Sequence, residues 1–370
     1  MGKTSFLKRR WKLLLNIATG VALVVLVIAI HKQLFETLEN LGKVNAWALL
    51  LLVPVQMLNY HAQTKLYQGL FALLGNKLRY KFLFRAALEL NFINHVFPSG
   101  GVSGISYFGV RLKNDTISGS RATLVQVMKL VLGILSFEIL LIIGLLFMAV
   151  GNRVNTFVVF LATLITTLMV IGTFAFVMII GSKKRINATF TFLTKTINKV
   201  MHFIFRRSTE TINIARAERV FDDLHVNYKT IESQWRQLKA PFFWAFMANL
   251  TEVLSIYVVY IAFDAWVNFG SVVLAYAVAN FAGLVSVMPG GVGIYEALMT
   301  GVLVAAGIPA RLSLPVTVMY RVLNTIIQIP PGWFLYHRAL QESSKAKKIS
   351  EIEEVVRLEK HAREHDRTKL

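Results

Sequence analysis

The sequence contains no cysteine and few charged residues. Without thiols, a disulfide framework, thiolate catalysis and cysteine metal ligands are excluded. Charged residues make up 16% of the 370 residues, whereas a soluble domain carries about 25%. Hydrophobic residues make up 55%, and the mean hydropathy is +0.56. Long apolar runs alternate with short basic clusters, which is typical of a helical membrane protein.

Acidic residues are also scarce. The sequence has 20 Asp and Glu and 40 Lys and Arg, which gives a formal net charge of +20. A charge of this sign also fits nucleic-acid binding. Here, however, the basic residues flank apolar runs, where membrane orientation and anionic lipid headgroups account for them. We therefore predict anionic membrane lipids as partners and no nucleic acid.

Apolar runs of about 20 residues indicate an all-α polytopic membrane protein with about six transmembrane helices and two opposed re-entrant hairpins. The basic N-terminus resembles a signal sequence, but its apolar run is long and lacks a small-residue cleavage site, so we interpret it as a retained span. The predicted regions are a cytoplasmic N-terminus (1–12), a first membrane repeat (13–150) with a hairpin at 82–112, a second repeat (154–337) with a cytoplasmic loop at 182–240 and a hairpin at 270–310, and a charged cytoplasmic tail (338–370).

The distribution of Lys and Arg predicts the orientation. Basic clusters precede the first span, follow the second and fill the 182–240 loop, whereas the alternate loops contain Lys32 and Lys43, then Arg153, then Arg311. All loops rich in Lys and Arg lie on one side of the membrane only if each of the two predicted hairpins, at 82–112 and 270–310, begins and ends on the same side. Both termini are therefore predicted to be cytoplasmic, in the cell (inner) membrane.

This topology repeats the order span, span, hairpin, span with inverted orientation. The hairpin turns match, with Asn94-His95-Val96-Phe97-Pro98-Ser99-Gly100-Gly101-Val102 in the first half and Val285-Ser286-Val287-Met288-Pro289-Gly290-Gly291-Val292 in the second. Inverted-topology repeats with broken helices are typical of transporters. The alternative is that Pro-Gly-Gly links two helices in a surface loop, which the apolar runs beside Pro289 disfavour.

The residues of the turns fit an anion site. Proline ends a helix because it lacks a donor, and glycine permits positive φ and close backbone approach. The helix that restarts after each turn directs its amides into the membrane, where they favour an anion such as a phosphate headgroup. The turn residues predicted to bind substrate are Pro98, Gly100, Gly101, Pro289, Gly290, Gly291 and Gly293.

At these turns the sequence resembles the membrane domain of the lysylphosphatidylglycerol synthase/flippase family, the flippase half of the multiple peptide resistance factor. The strongest similarity is Pro289-Gly290-Gly291-Val292-Gly293-Ile294-Tyr295-Glu296 followed by Arg321, and the resemblance extends over 11–337. Where family members often carry an acidic residue after the first-half glycines, this chain has Ile105 and Ser106. The resemblance implies lipid translocation or a related membrane role. Because the chain ends soon after its last span, we do not expect the family's aminoacyl-transferase domain.

Glu296 and Arg321 are the strongest candidates for a functional site, because each is a charged residue within an apolar run. A charge at mid-bilayer costs about 3 kcal/mol on insertion scales and marks a pathway or a pair. Arg321 fits a bidentate grip on a lipid phosphate. The alternative is a structural ion pair between Glu296 and Arg321, and the two roles are compatible.

Three further charged residues are candidates with weaker support. Glu252 and Glu138 lie in mid-span, where they are either structural or protonated, or belong to a proton relay. Arg111 closes the first hairpin, where it binds headgroups or anchors the helix at the interface. The sequence has no metal-ligand spacing and no nucleotide-binding motif, so we predict neither a metal nor a cofactor.

The predicted function is translocation of a lipid or lipid-linked substrate with an anionic headgroup between leaflets, without enzymatic activity. Two alternatives stay open: a membrane enzyme that acts on a lipid phosphate, and a non-transporting partner of an envelope-synthesis complex. Homo-oligomerisation also stays open.

The orientation can be tested by cysteine labelling on the natural background, which has no cysteine. Single cysteines at Ser208 and Ser344 should be shielded from an impermeant maleimide in intact cells, whereas one at Asn152 should react. Labelling of Ser208→Cys from outside would contradict the predicted orientation.

Overall fold

The chain is a bundle of α-helices. The computed structural model describes residues 21–367 apart from 22–23, 25–27, 29–30, 34, 97–101, 114–116, 151–155, 186, 190, 193–213 and 284–292. The described residues contain helices and no strand, which confirms the all-α class. The helices are α1 (Ala46–Leu49), α2 (Leu52–Leu73), α3 (Tyr80–Val96), α4 (Val102–Lys113), α5 (Gly119–Val150), α6 (Thr156–Ile180), α7 (Ile214–Ser233), α8 (Lys239–Ala262), α9 (Phe269–Gly283), α10 (Ile294–Ala305) and α11 (Ala310–Arg367).

Four of the described helices are long and apolar enough to cross a membrane. These segments are Gly119–Ala149, Val158–Ile179, Trp235–Ala262 and Ala310–Glu342, and two shorter apolar helices are Phe269–Asn280 and Ile294–Ala305. Most of the predicted first span at 13–30 lies outside the described residues. A membrane protein is therefore confirmed, whereas the count of six spans and the two re-entrant hairpins stay predictions.

Helix α2 has the length of a span but a polar interior face. Gln56, Asn59 and Gln63 on this helix are buried. The helix packs along α8, the most extensive helix pairing among the described elements, and also contacts α3 and α5. Because neighbouring helices rather than lipid surround its polar face, α2 tolerates these amides at membrane depth.

The bundle has two ends with different charge. At one end, Gln234 Nε2 donates to the carbonyl oxygen of Leu73 at 3.2 Å, and Arg121 donates to Asn76 at 3.2 Å. At the other end, the Asn45 amide donates to the carbonyl oxygen of Ala262 at 2.8 Å. The first end gathers Lys77, Arg79, Lys81, Arg121, Arg236 and Lys239, and the second gathers Lys43, Asp264 and Arg311.

Helices α5 and α9 cross at a contact between glycines. A Cβ atom added to Gly270 would lie closer to the Gly144 carbonyl oxygen than any real Cβ contact allows, and it would also meet Met148. The two backbones therefore approach each other as small residues permit in membrane helix packing.

Replacement of Gly270 by alanine should destabilise the protein by about 1–3 kcal/mol, because backbone cannot move aside as a flexible side chain can. The measurement is thermal unfolding in detergent. The matched control is Gly172→Ala on α6, where the added Cβ meets nothing within 4 Å. Equal melting temperatures for the two variants would contradict the glycine contact.

Candidate functional site

A polar cavity of about 440 Å³ lies inside the bundle. Helices from both halves of the chain contribute to its wall: α2, α3 and α5 from the first half and α8, α9, α10 and α11 from the second. Its lining residues are Asn59, Gln63, Leu66, Asn91, Asn94, His95, Lys129, Gly133, Ala245, Ala248, Asn249, Glu252, Tyr276, Asn280, Tyr295, Tyr320, Arg321, Asn324, Thr325 and Gln328.

The cavity lies well inside the bundle, away from both of its ends. Lys129 follows the start of α5 at Gly119 by about 15 Å, and Arg321 follows the start of α11 at Ala310 by about 17 Å, at 1.5 Å per residue. The two helices begin at opposite ends of the bundle. These two distances are each about half the thickness of a bilayer core, which is about 30 Å.

Amide side chains form much of the cavity wall through hydrogen bonds between helices. Asn59 Nδ2 on α2 donates to Thr251 Oγ1 and to the Ala248 carbonyl oxygen on α8, both at 2.9 Å. Gln63 Nε2 donates to Asn59 Oδ1 at 2.6 Å. On the far wall, Asn249 Nδ2 donates to the Gly133 carbonyl oxygen at 2.8 Å. Carboxamides supply both hydrogen-bond donors and acceptors, so this wall can bind a polar ligand of either charge.

Lys129 brings a positive charge into the cavity from α5. Its Nζ donates to Gln63 Oε1 and to Tyr67 Oη, both at 3.0 Å. Both acceptors are neutral, and a lysine ammonium has three N–H donors. Within the described part of the chain, one donor of Lys129 is left for a ligand in the cavity.

Glu252 supplies a carboxylate on the facing wall from α8. Tyr320 Oη donates to Glu252 Oε2 at 3.1 Å. Lys129 lies within electrostatic range of the same carboxylate. Glu252 is one of the two mid-span carboxyl groups singled out in the sequence, and it lines the cavity.

Glu296 joins three parts of the bundle. Its Oε2 accepts the Gly293 amide at 2.6 Å, and its Oε1 accepts Gln33 Nε2 at 2.8 Å. The Gly293 residue has φ of 88°, a left-handed backbone that glycine adopts without strain. Glu296 therefore places a negative charge at the N-terminus of α10, where the helix dipole favours it.

Arg321 pairs with the same carboxylate. Its Nη1 forms an ion pair with Glu296 Oε1, and its guanidinium lies over the Tyr295 ring, with 4.6 Å between the guanidinium carbon and the ring centroid. The side chains of Arg321 and Glu296 are 15% and 6% exposed. The two residues therefore form the ion pair that the sequence left as an alternative, and Arg321 also lines the cavity.

The first half of the chain has a second buried ion pair. Arg111 Nε on α4 donates to Glu89 Oε2 on α3 at 3.0 Å, and Tyr107 Oη donates to the same oxygen at 2.7 Å. Glu89 is 1% exposed. The acidic partner that is missing after the first-half glycines therefore comes from the preceding helix.

The other predicted site residues are placed as follows. Glu138 on α5 is partly buried but does not line the cavity, and its Oε1 has no hydrogen-bond partner among the described residues. Gly293 begins α10, whereas Pro98, Gly100, Gly101, Pro289, Gly290 and Gly291 lie outside the described residues. His95 on α3 lines the cavity, and its Nδ1–H donates to the Asn91 carbonyl oxygen at 2.8 Å.

Sequence reasoning missed Lys129 and Glu89. Both are visible as charges in apolar surroundings, Lys129 after Val125-Gln126-Val127-Met128 and Glu89 within Ala86-Ala87-Leu88 and Leu90. The polar residues of α2 give a further signal, since Gln56, Asn59 and Gln63 recur on one helical face.

The comparison with protein families agrees with this architecture. Residues 13–332 match the family model described as lysylphosphatidylglycerol synthase TM region. The chain belongs to this family. The match begins in the predicted first span and ends in α11, so the family's membrane region includes every helix that lines the cavity.

Two archaeal proteins are similar to parts of the chain. The UPF0104 membrane protein of Methanothermobacter thermautotrophicus strain Delta H is 29% identical over 99 residues, which cover 27% of this chain and 30% of that protein. The UPF0104 membrane protein PH1989 of Pyrococcus horikoshii strain OT-3 is 19% identical over 239 residues, or 63% of this chain and 69% of that protein. The chain thus spans less than a third of the first relative.

Replacement of Arg321 by leucine should destabilise the protein by about 3–5 kcal/mol, because it strands the Glu296 carboxylate without its cation. The double variant Arg321→Leu with Glu296→Gln should recover most of the loss, since glutamine still offers an acceptor to the Gly293 amide. Thermal unfolding in detergent measures both effects. A double variant that is no more stable than Arg321→Leu alone would contradict a structural role for the pair.

Proposed function

We propose that the protein translocates a lipid or lipid-linked substrate with an anionic headgroup between the leaflets of the cell membrane. The observation that carries the proposal is the polar cavity between the two ends of a bundle of apolar helices, with Lys129 and Arg321 on its wall. A headgroup crossing the bilayer needs a polar path, whereas its tails can remain in lipid. Membership of the lysylphosphatidylglycerol synthase TM region family supports the same class of function.

The proposal includes the inverted repeat, which the helix contacts support. Helix α2 packs on α8, α3 packs on α11, and α9 packs on α5. In the inverted repeat, α2 corresponds to α8, α3 to α9, α4 to α10 and α5 to α11. The contact of α3 with α11 then corresponds to the contact of α9 with α5, and the contact of α2 with α8 corresponds to itself. The contacts of α4 with α5 and of α10 with α11 are related in the same way.

The re-entrant character of the second hairpin is supported by helix length. The described part of α9 has 15 residues, and α10 has 12. At 1.5 Å per residue they extend about 22 Å and about 18 Å, less than the roughly 30 Å of a bilayer core. Helix α10 is therefore too short for a complete span, which supports a hairpin that enters and leaves the membrane on one side.

The charge of the two bundle ends supports the proposed orientation. The end with Lys77, Arg79, Lys81, Arg121, Arg236 and Lys239 is much more basic than the end with Lys43, Asp264 and Arg311. Under the positive-inside rule the first end is cytoplasmic.

Transfer should be measured with the purified protein in vesicles that contain tail-labelled phosphatidylglycerol or phosphatidylcholine, with a membrane-impermeant quencher of the outer-leaflet label. We expect faster transfer of phosphatidylglycerol, whose headgroup is anionic, because of the cations on the cavity wall. A folded wild-type protein that transfers neither lipid would overturn the proposed function.

The cavity itself can be tested by filling it. Gly133 lines the cavity, and a Cβ atom added there meets nothing within 4 Å. Gly133→Phe should therefore fold but block transfer, with a loss of about tenfold or more, which corresponds to about 1.4 kcal/mol in the barrier. Gly172→Phe on the outward-facing surface of α6 is the matched control and should transfer like wild type.

A further inference from the structure

Carboxamides outnumber charged side chains on the cavity wall. Each carboxamide has a nitrogen end that donates hydrogen bonds and an oxygen end that accepts them. Where a neighbouring group can only accept, the end that faces it must be the nitrogen. The other end is then the one that a ligand can meet. Both ends can be assigned in this way for Asn249 and Asn324.

Asn249 on α8 offers a hydrogen-bond acceptor to the cavity. Its Nδ2 donates to the Gly133 carbonyl oxygen and to Ser136 Oγ on α5, both at 2.8 Å. Ser136 uses its own hydroxyl hydrogen on the same carbonyl oxygen at 2.9 Å, so both neighbours are acceptors. The nitrogen of Asn249 must therefore face α5. Its Oδ1 accepts no hydrogen bond from the residues that the structure describes, and Asn249 lines the cavity.

Asn324 on α11 offers a donor. Ser255 Oγ donates to the Thr251 carbonyl oxygen at 2.9 Å and accepts Gln56 Nε2 at 3.0 Å. Gln56 therefore turns its oxygen to Gln328, whose Nε2 donates to Gln56 Oε1 at 3.4 Å and to Asn324 Oδ1 at 2.8 Å. The oxygen of Asn324 is thus held by Gln328. Its Nδ2 donates to no group in the described part of the chain, and Asn324 lines the cavity.

Lys129 on α5 offers a second donor. The Tyr67 hydroxyl donates to Gln126 Oε1 at 3.1 Å, so its oxygen is the acceptor for Lys129 Nζ at 3.0 Å. Gln63 Oε1 is the other acceptor, also at 3.0 Å, so that among the described residues one of the three N–H groups of Lys129 is left for a ligand. The wall thus presents an acceptor at Asn249 and donors at Lys129 and Asn324.

A phosphate alone does not match these three groups. Phosphate oxygens accept hydrogen bonds, so they suit Lys129 and Asn324, but they have no hydrogen for Asn249. An ammonium group donates but does not accept, and it brings a further charge to membrane depth, which is costly. A hydroxyl group both donates and accepts and has no charge. It therefore suits the neutral amides of Asn249 and Asn324 at a lower cost of desolvation.

We infer that the headgroup of the proposed substrate carries hydroxyl groups beside its phosphate, as a polyol phosphate or a sugar phosphate does. The phosphate accepts a hydrogen bond from Lys129, and the hydroxyl groups donate to Asn249 Oδ1 and accept from Asn324 Nδ2. Helices α8 and α11, which carry these two amides, pack against each other. The cavity of about 440 Å³ is within the size range of pockets that enclose small-molecule ligands. The inference rests on the proposed function for the lipid nature of the substrate.

Two lipids of equal charge test the recognition of hydroxyl groups. The full-length protein in detergent is titrated by calorimetry with dioctanoyl phosphatidylglycerol and with dioctanoyl phosphatidylpropanol, whose three-carbon headgroup lacks both hydroxyl groups. We expect phosphatidylglycerol to bind about tenfold more tightly or better, because phosphatidylpropanol leaves the polar groups of Asn249 and Asn324 without partners.

Two further lipids identify the headgroup chemistry. Dioctanoyl phosphatidylinositol presents hydroxyl groups on a ring, and tighter binding than that of phosphatidylglycerol assigns the site to a sugar-like headgroup, whereas weaker binding assigns it to an open-chain polyol. Dioctanoyl phosphatidylethanolamine presents an ammonium group, and its binding should be weaker than that of phosphatidylglycerol.

The variant that decides the role of the amides is Asn324→Ala. It should bring the affinity for phosphatidylglycerol to within about threefold of that for phosphatidylpropanol, which itself should hardly change, since a donor to a hydroxyl group is lost. A merely structural effect would change both affinities alike. Asn249→Ala is less informative, because it also removes the bonds to Gly133 and Ser136 that connect α8 to α5. The matched control is Asn227→Ala on α7, outside the cavity, where Nδ2 donates to the Asp223 carbonyl oxygen at 2.7 Å.

The outcomes distinguish the inference from the proposed function. A preference for hydroxylated headgroups that Asn324→Ala removes and Asn227→Ala preserves supports the inference, even if vesicle transfer is absent and the proposed function fails. Equal affinities for phosphatidylglycerol and phosphatidylpropanol overturn the inference and leave translocation open. Tighter binding of phosphatidylethanolamine, or a preference that Asn324→Ala preserves, also overturns it. The absence of binding by every one of these lipids overturns it together with the headgroup specificity of the proposed function.

Discussion

The constraint on which the structure depends is that polar groups at membrane depth must find partners within the protein. Glu296 meets this constraint with three partners: the Gly293 amide, Gln33 and Arg321. These partners come from the start of α10, from the segment before α1 and from α11. One buried carboxylate thus connects α10 to two other parts of the bundle. Because an isolated charge there would be costly, the same interaction that stabilises α10 also determines where α11 lies.

The same constraint explains the distribution of polar and apolar residues. Helix α6 exposes Phe160, Ile171 and Phe174, as a surface in contact with lipid tails requires. Helix α2 instead buries amides, because α8 supplies their partners. Polar residues therefore concentrate where helices from the two halves meet. A cavity lined with donors and acceptors at membrane depth is the consequence, and it remains compatible with an apolar exterior.

Part of this arrangement can be predicted from the sequence. The length of the apolar runs predicts the helices, and the isolated charges of Glu296 and Arg321 indicate one side of the cavity. Sequence patterns do not reveal that α2 pairs with α8 or that Gly270 contacts Gly144, because such contacts join segments more than 100 residues apart and leave no periodic signal. Lys129 is visible in the sequence as a charge in an apolar run, but its contacts are not. Its significance comes from Gln63 and Glu252, which only tertiary packing brings near it.

The charged residues in and near the cavity are of two kinds. Some form directly bonded ion pairs between helices, and others have only neutral hydrogen-bond partners. The planar guanidinium of Arg321 is bonded to Glu296 and lies over Tyr295, so its geometry suits a fixed contact between helices. Arg111 on α4 is bonded in the same way to Glu89 on α3. Lys129 is a point charge on a flexible stem with neutral partners, and Glu252 lines the same cavity. Fixed pairs preserve the bundle whether or not a ligand is present. A charge without a directly bonded counterion is the better placed to contact a ligand, and this difference favours Lys129 over Arg321 as the contact for the anionic headgroup of the proposed substrate.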